Sequence, residues 1–316
     1  MLRRILVSLG QFAITVLVAT MIVFLLLRVM PGDPAVVALG INATPDALDA
    51  WRHEHGTDRP LWLQYLEWMG GLVTGDFGTS YVTSQELTPL IADRVQVTLI
   101  LVGCAMLLAL VIAVPIGTLA AVRHRDAAGA VLSGASQIGV AIPNFLVGVL
   151  LIAFFSVRLG WFPSGGWVAP AEDVGAFLQR LVLPVIALGS VQAAIITRYV
   201  RSAVLEIMRE DFLRTGRAKG LTFGGALVRH GLRNAGVPVI TIVGVQLAAL
   251  LIGAVVIERV FAIPGLGSLL VDSVANRDLL AVQAVVVVLV LLVVLLNLIV
   301  DVVYALVDPR LRREAA

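Results

Sequence analysis

Residues 279–300 read LLAVQAVVVVLVLLVVLLNLIV, a largely apolar run without an Asp, Glu, Lys or Arg. A helix needs about 20 apolar residues to cross a bilayer, and this run of 22 is long enough. A strand of a membrane barrel would alternate apolar and polar residues over about ten positions, which this run does not do. Because lipid offers the backbone no hydrogen-bond partner, we predict a transmembrane helix here.

Five further runs lack charged residues, and together they predict an all-α polytopic membrane protein with six transmembrane helices. Only 14% of the 316 residues are charged, whereas soluble chains carry about 25%. We interpret residues 1–316 as a single transmembrane domain. The predicted spans are residues 5–29, 95–122, 127–157, 181–203, 234–257 and 279–307.

The distribution of Lys and Arg predicts the orientation of these spans. The side that holds both termini carries 15 basic residues over 60 positions, and the other side carries 8 over 111. Basic residues concentrate in the cytoplasmic loops of membrane proteins, so we expect both termini inside and the loop 30–94 outside. The acidic residues divide the other way, with 7 inside and 14 outside.

The chain shows no pattern typical of a catalytic or metal site. Cys104 is the single cysteine, and His53 and His55 are too close in sequence to share one face of a helix. Lys219, the single lysine, is followed by Gly220, whereas a nucleotide-binding P-loop needs Lys followed by Ser or Thr. We therefore predict no catalytic residue, metal or cofactor in this chain. Energy for uphill transport would come from another subunit or an ion gradient.

Neutral polar residues inside the predicted spans are candidates for a translocation path. A seven-residue spacing puts Gln137 and Asn144 on one helical face, and likewise Ser190 and Thr197. Pro143 is expected to kink the third span, either as part of a gate or as a static bend. For each polar residue the alternative is a role in helix packing. The candidates are Gln137, Pro143, Asn144, Ser190, Thr197, Gln246, Gly253 and Asn297.

The segment 198–233 between the fourth and fifth spans carries eight basic and three acidic residues. Its first half predicts a short helix around Phe212, which Gly216 and Gly220 are expected to break or bend. Thr222 is expected to cap a second short helix that has Leu227, Val228 and Leu232 on one side. Two short helices rimmed by arginine favour a docking surface for a cytoplasmic partner. The alternative is an amphipathic segment that binds anionic lipid headgroups.

Residues 211–221, DFLRTGRAKGL, followed by RHGLRNA at 229–235, resemble the coupling segment of binding-protein-dependent ABC importer permeases. The long spacing to Pro238 is similar to that of the dipeptide and oligopeptide permease group. Further motifs of that group are PGDP at 31–34, GDFGTS at 75–80, LGWFPSGG at 159–166 and DPR at 308–310. One departure is Gly216, at the third position of the Glu-Ala-Ala triplet, and we expect it to loosen that helix.

This resemblance implies a type I ABC importer (MetI-like) permease fold in the bacterial inner membrane. It implies a heterodimer with a second, C-type permease, two ATP-binding subunits that hold ATP and magnesium, and an external substrate-binding protein. The loop 204–233 would couple transport to ATP hydrolysis. The coupling residues it implies are Asp211, Phe212, Arg214, Thr215, Arg217, Ala218, Lys219, Gly220 and Leu221.

The cargo that the resemblance implies is a dipeptide or oligopeptide. Nickel chelates, glutathione and haem stay open as alternatives within the same architecture. A different class, an ion-coupled carrier or a channel acting alone, would require ionisable residues inside the spans or an inverted repeat, and the sequence shows neither.

The external loop contains an aromatic stripe, formed by Trp62, Tyr65 and Trp68. Such a stripe predicts an amphipathic helix that lies at the outer membrane interface. The alternative is a docking platform for the binding protein.

Overall fold

The computed structural model describes residues 2–29, 33–40 and 42–307. This part of the chain is helical, and one isolated bridge pairs Thr79 with Glu86. The helices are α1 Leu2–Val29, α2 Pro34–Leu39, α3 Pro45–Glu54, α4 Leu61–Thr74, α5 Leu87–Val122, α6 Ala127–Ala141, α7 Asn144–Leu151, α8 Val174–Ile207, α9 Asp211–Ala218, α10 Phe223–Ala226, α11 Leu232–Val260, α12 Leu266–Ala275 and α13 Leu279–Val307. Two π-helical segments, Ile152–Arg158 and Leu227–Gly231, follow α7 and α10.

Among the described residues, five helices are long and apolar enough to span a membrane by themselves. They are α1, α5, α8, α11 and α13. The predicted third span is instead divided between α6 and the segment Asn144–Arg158, which is α7 with the π-helical segment after it, and the two parts meet at an angle of 94°. The break falls at Ile142 and Pro143, both of which have extended backbone angles. Proline disfavours the helical conformation of the residue before it, so the bend occurs where the sequence places Pro143.

Several helices extend beyond the charge-free runs. The helix α5 begins at Leu87, eight residues before the predicted start at position 95, and α8 covers 174–207 rather than 181–203. α8 therefore includes Arg180, Arg198 and Arg201. A helix can continue beyond the hydrocarbon layer, and arginine side chains can reach the interface from within it, so the limits of an uncharged run do not mark the helix ends.

The described chain forms two compact units. The first comprises residues 2–8, 99–263 and 295–307. Within it α8 packs against α6, α7 and α11. Small residues allow close approach to α8. A Cβ at Gly139 of α6 would stand 2.8 Å from the Cβ of Ala194 on α8, and one at Gly189 of α8 would stand 2.8 Å from the carbonyl oxygen of Ala105 on α5. Close packing through small residues is typical of membrane helices.

The second unit comprises residues 9–29, 33–40, 42–98 and 264–294. Its core joins the start of α5 to α12 and to the first half of α13. The buried residues of this core are Leu87, Ile91, Leu266, Ala281, Ala284, Val285 and Val288. Two polar contacts support the same association, since the backbone N–H of Leu266 donates to Thr98 Oγ1 at 2.9 Å and the hydroxyl of Ser80 donates to Asp278.

The short helices of the second unit are tied to α1 and to one another. The carboxylate of Asp33 caps α2 through the N–H of Ala35 and accepts a hydrogen bond from Arg52 of α3, which lowers the pKa of Asp33. On α4, Tyr65 and Trp68 pack on Phe24 of α1, with ring centroids 5.4 and 6.0 Å apart. The hydroxyl of Tyr65 also lies 3.1 Å from that of Thr20.

These contacts divide the predicted aromatic stripe of α4. Tyr65 and Trp68 face α1, whereas Trp62 is 65% exposed. Two of the three aromatic rings therefore hold α4 against α1, and Trp62 remains on the open face of the helix.

Candidate functional site

The predicted coupling segment forms two short helices around a glycine turn. α8 ends at Ile207, and α9 begins at Asp211 after a turn of three residues. The turn after α9 passes through Gly220, whose φ of +91° lies in the region that favours glycine. The hydroxyl of Thr222 accepts a hydrogen bond from the N–H of Gly225 at 3.2 Å and caps α10. The predicted turn at Gly220 and cap at Thr222 are both confirmed.

A small apolar core holds these helices together. Leu213 of α9 is 3% exposed, Ala226 of α10 is fully buried and Leu227 is 3% exposed. Gly216 lies inside α9, where a Cβ would stand 3.5 Å from the Cβ of Ala226. The expectation that Gly216 breaks or bends the helix is wrong, because α9 continues through it to Ala218 and packs against α10 at this position.

The second half of the segment differs from its predicted form. A π-helical turn covers Leu227–Gly231, and α11 begins directly after it at Leu232. Leu227 is buried but Val228 is 67% exposed. The prediction that Leu227, Val228 and Leu232 share one side is therefore wrong, because successive side chains of a helix point about 100° apart, so Val228 faces away from the core that Leu227 enters.

An exposed surface lies opposite the small core, on residues that the coupling hypothesis requires to be accessible. We call this the coupling surface. Phe212 and Leu221 are half-buried at its edge, and the side chains of Arg214 and Arg217 lie outside the described part of the chain. Thr215 donates a hydrogen bond to the carbonyl oxygen of Asp211 at 3.0 Å, within α9. The exposed residues are Asp211, Thr215, Ala218, Lys219 and Gly220.

A polar seam runs along the contact between α8 and α11. The amide of Gln246 donates to Gln192 Oε1 at 2.6 Å. Two turns further along α11, a Cβ on Gly253 would stand 2.9 Å from the amide nitrogen of Asn144, the first residue of α7. The structure thus brings Asn144, Gln246 and Gly253 to one seam, beside the break in the third span.

The remaining path candidates lie elsewhere. Ser190 donates a hydrogen bond to the carbonyl of Ala187 within its own helix, at 3.4 Å. Thr197 is buried where the backbone of α8 approaches α5. Gln137, Pro143 and Asn297 are exposed. Pro143 forms the break next to Asn144, and the described structure does not bring the other four residues to the seam.

Sequence reasoning missed Gln192, which completes the seam. It lies in an uncharged run and is 7% exposed. The predicted polar face of α8 contains Ser190 and Thr197, and Gln192 lies on a different face. A buried amide requires a polar partner, and Gln246 on the facing helix supplies one. Pairing the amides of neighbouring spans is the signal that identifies Gln192.

A second missed feature is the docking of the segment 159–173 onto the end of α11. The N–H of Gly166 donates to the carbonyl oxygen of Phe261 at 2.8 Å, and Arg180 Nη1 donates to the carbonyl oxygen of Gly165 at 2.6 Å. The ring of Phe261 is buried and lies 3.1 Å from the Cβ position of Gly148 on α7. Phe261 therefore joins this segment to α7.

Comparison with known proteins gives a family for this arrangement. The family described as "Binding-protein-dependent transport system inner membrane component" matches residues 113–313, and its companion N-terminal family matches residues 1–102. The chain belongs to this family. The predicted family, the all-α membrane fold and the location in the bacterial inner membrane are confirmed. The N-terminal match covers nearly the same residues as the first part of the second unit, 9–98.

Curated relatives match along most of their length. The "Probable peptide ABC transporter permease protein y4tP" of Sinorhizobium fredii is 37% identical over 290 residues, which are 92% of this chain and 93% of the relative. The "Oligopeptide transport system permease protein AppB" of Bacillus subtilis is 39% identical over 295 residues, again 92% and 93%. A putative peptide permease protein of Brucella ovis is 39% identical over 316 residues, 98% of each chain.

A solved structure supports the fold. A chain of the MetNI methionine ABC transporter, in inward-facing conformations, aligns with a TM-score of 0.58 at 23% identity. The alignment covers 69% of this chain and 96% of that chain. The predicted type I importer permease fold is thereby confirmed.

Proposed function

We propose that this chain is the B-type permease of an ATP-driven importer that carries dipeptides or oligopeptides across the bacterial inner membrane. It would form half of the pathway with a second, C-type permease, above two ATP-binding subunits and beneath an external binding protein. The main support for the proposal is the coupling surface on α9. This helix follows the end of α8 and is held in place by its own small apolar core. The names of the curated relatives support a peptide as cargo.

The position of α9 explains how force would enter the permease. α8 is continuous over 34 residues, or about 51 Å at the rise of an α-helix. α9 follows its end after three residues, and α11 follows the π turn that packs on α9. A rigid-body displacement of α9 would therefore move α8 and α11 together, and these helices carry the polar seam.

The energy source is assigned to the partners. The only lysine of the chain, Lys219, has glycine after it and therefore fits no P-loop. ATP and magnesium would bind to the two ATP-binding subunits, and α9 of this chain would sit in a surface cleft of one of them. The basic residues around 198–233 favour both termini and this loop on the cytoplasmic side.

The seam suits a peptide cargo because its polar groups are neutral. Asn144, Gln192 and Gln246 offer amide donors and acceptors that can replace one another around a moving peptide backbone. A fixed charge at this depth would bind one end of a zwitterion and retain it. The predicted path role of the exposed candidates Gln137 and Asn297 stays a prediction.

Uptake by proteoliposomes that contain both permeases and both ATP-binding subunits tests the proposed function. With the binding protein and internal ATP, labelled di- and oligopeptides are expected to accumulate. Preference for a nickel chelate, glutathione or haem over every peptide would contradict the peptide assignment. Accumulation driven by a proton or sodium gradient without ATP would contradict the importer and indicate an ion-coupled carrier.

A further inference from the structure

The second unit contains an open cleft with a volume of about 200 Å³. One wall is the turn that begins at Ser80, and the other walls are the first turns of α5 and the helix α12. The side chains of Leu87 and Ala281 are almost fully buried and form an apolar floor. A cleft of this size can hold one long side chain.

A fixed carboxylate lies at the base of the cleft. Asp278 is 4% exposed, and its carboxylate accepts hydrogen bonds from the Ser80 hydroxyl and from the N–H of Ala281 at 3.3 Å. The Ser80 oxygen in turn accepts a hydrogen bond from the backbone N–H of Thr83, with an N–O distance of 2.9 Å. These bonds hold the carboxylate in one place before any partner arrives, which reduces the entropy lost on binding.

The charges of the cleft favour a cation. Asp272 is exposed and adds a second carboxylate, and Arg94 is the one basic residue among the described lining residues. The second unit as a whole has the same sign, because its described residues include 11 acidic and 5 basic side chains. Opposite charges on a soluble partner would speed its approach and fix its orientation.

We propose that this cleft receives a lysine or arginine side chain of the external binding protein. The inference rests on the proposed function and names a contact point between the two proteins. The methylene groups of the incoming side chain would lie on Leu87 and the neighbouring leucines, and its cationic end would reach Asp272 and Asp278. Arg94 would pair with an acidic neighbour of that side chain on the partner.

Two other occupants fit the cleft less well. Anionic lipid headgroups would be repelled by its two carboxylates. A metal ion would need several converging ligands, and no group of three or more His, Cys, Asp or Glu in the described residues is arranged to hold one. A cationic side chain uses both the carboxylates and the apolar floor.

ATPase activity of the complete transporter in lipid nanodiscs, titrated with its binding protein, tests this contact. The variant Asp272→Asn removes one charge from the cleft, and Asp93→Asn removes one charge from an exposed position that does not line it. We expect Asp272→Asn to raise the half-saturating concentration of binding protein about threefold to fivefold, as for an interfacial ion pair. The control Asp93→Asn is expected to remain within experimental error of the unaltered protein.

A steric variant tests the same cleft without changing charge. Thr83 has an exposed side chain at the rim, so Thr83→Trp should fill the opening and raise the half-saturating concentration. Thr74→Trp, at an exposed position of α4 that does not line the cleft, is the control. Higher salt should weaken docking of the unaltered protein more than docking of Asp272→Asn.

Each result bears on one claim. Stimulation of the unaltered protein together with equal titrations of Asp272→Asn and Asp93→Asn would overturn the cleft and leave the importer intact. A change in the maximal rate with an unchanged half-saturating concentration would also overturn it, since the cleft would then act within the permease. Failure of any binding protein to stimulate the unaltered complex would contradict the proposed function itself.

Discussion

At the scale of single residues, Gly165 holds the segment 159–173 against α11. Any Cβ at this position would overlap the carbonyl group of Phe261. The neighbouring contacts, from Gly166 and Arg180, depend on this close approach. Packing against Phe261 therefore requires a glycine in the Gly165-Gly166 pair of the LGWFPSGG motif. No contact with cargo is needed to explain this part of the motif.

The first prediction concerns Gly165→Ala. The backbone must shift to accept the methyl group, so we expect a loss of about 1–3 kcal/mol in stability and a lower melting temperature of the detergent-solubilised protein. The matched control is Gly134→Ala, because a Cβ at Gly134 meets nothing within 4 Å. Equal melting temperatures of the two variants would contradict the close contact with Phe261.

The second prediction concerns Gly216→Ala. The methyl group would lie in ordinary contact with Ala226 at 3.5 Å, and alanine favours a helix interior by about 1 kcal/mol over glycine. We expect normal assembly, normal uptake and slower hydrogen exchange across α9. Loss of coupling in this variant would show that Gly216 must be flexible, contrary to its place inside a packed helix.

At the scale of elements, the turn between α9 and α10 fixes the coupling surface. Gly220 has a φ of +91°, which proline cannot adopt because its ring holds φ near about −65°. The third prediction is that Gly220→Pro abolishes peptide uptake while ATP hydrolysis and assembly of the complex persist. Gly220→Asn, which tolerates positive φ better than other residues, is expected to retain most uptake.

Charge reversal at Arg217 tests the same element through its charge, whereas Gly220→Pro tests it through its backbone conformation. Arg217→Glu reverses one charge of the basic segment 198–233 without replacing Gly220 in the turn. We expect it to uncouple transport from hydrolysis as Gly220→Pro does. Full uptake by both variants, with normal assembly, would exclude this loop as the coupling element.

The fourth prediction concerns the bridge between α8 and α11. Replacing Gln192 or Gln246 by Leu leaves the other amide of this part-buried pair without its partner, at a cost of about 1 kcal/mol for each single variant. The double variant should cost less than the sum of the two, as measured by thermal unfolding in a double-mutant cycle. Additive costs would show that the two amides do not depend on each other.

At the scale of the whole molecule, the spans were predictable because lipid excludes charge. Each charge-free run contains a helical segment, and the run 279–300 lies inside α13. The helix ends were not predictable, since α5 and α8 continue past their charged residues. Pro143 marks the place where the third span breaks. Pro115, Pro184 and Pro238 lie inside continuous helices, however, so the break and its angle of 94° depend on packing that no local pattern encodes.

The candidate site was predictable to the extent that it depends on local chemistry. Gly220 and Thr222 act through their own backbone and hydroxyl, so the turn and the cap follow from the sequence. Gly216 instead lies where α9 packs against Ala226, a residue ten positions later in the chain. The expectation of a break there was wrong because local sequence does not show this contact. Gln192 required its partner on another helix, and sequence spacing along α8 alone did not indicate it.

The fifth prediction is that α9 contacts an ATP-binding subunit, which cross-linking from Lys219 can detect. Lys219 is exposed on the coupling surface, and Cys104 is the only native thiol, so Lys219→Cys in a Cys104→Ala background carries one reactive group. We predict that a short thiol cross-linker joins it to an ATP-binding subunit, with a yield that changes when ATP binds, while Thr74→Cys on α4 gives no such product. An assembled complex in which Lys219→Cys reacts with soluble maleimide but never cross-links to that subunit would contradict the docking of α9 on the ATP-binding subunit.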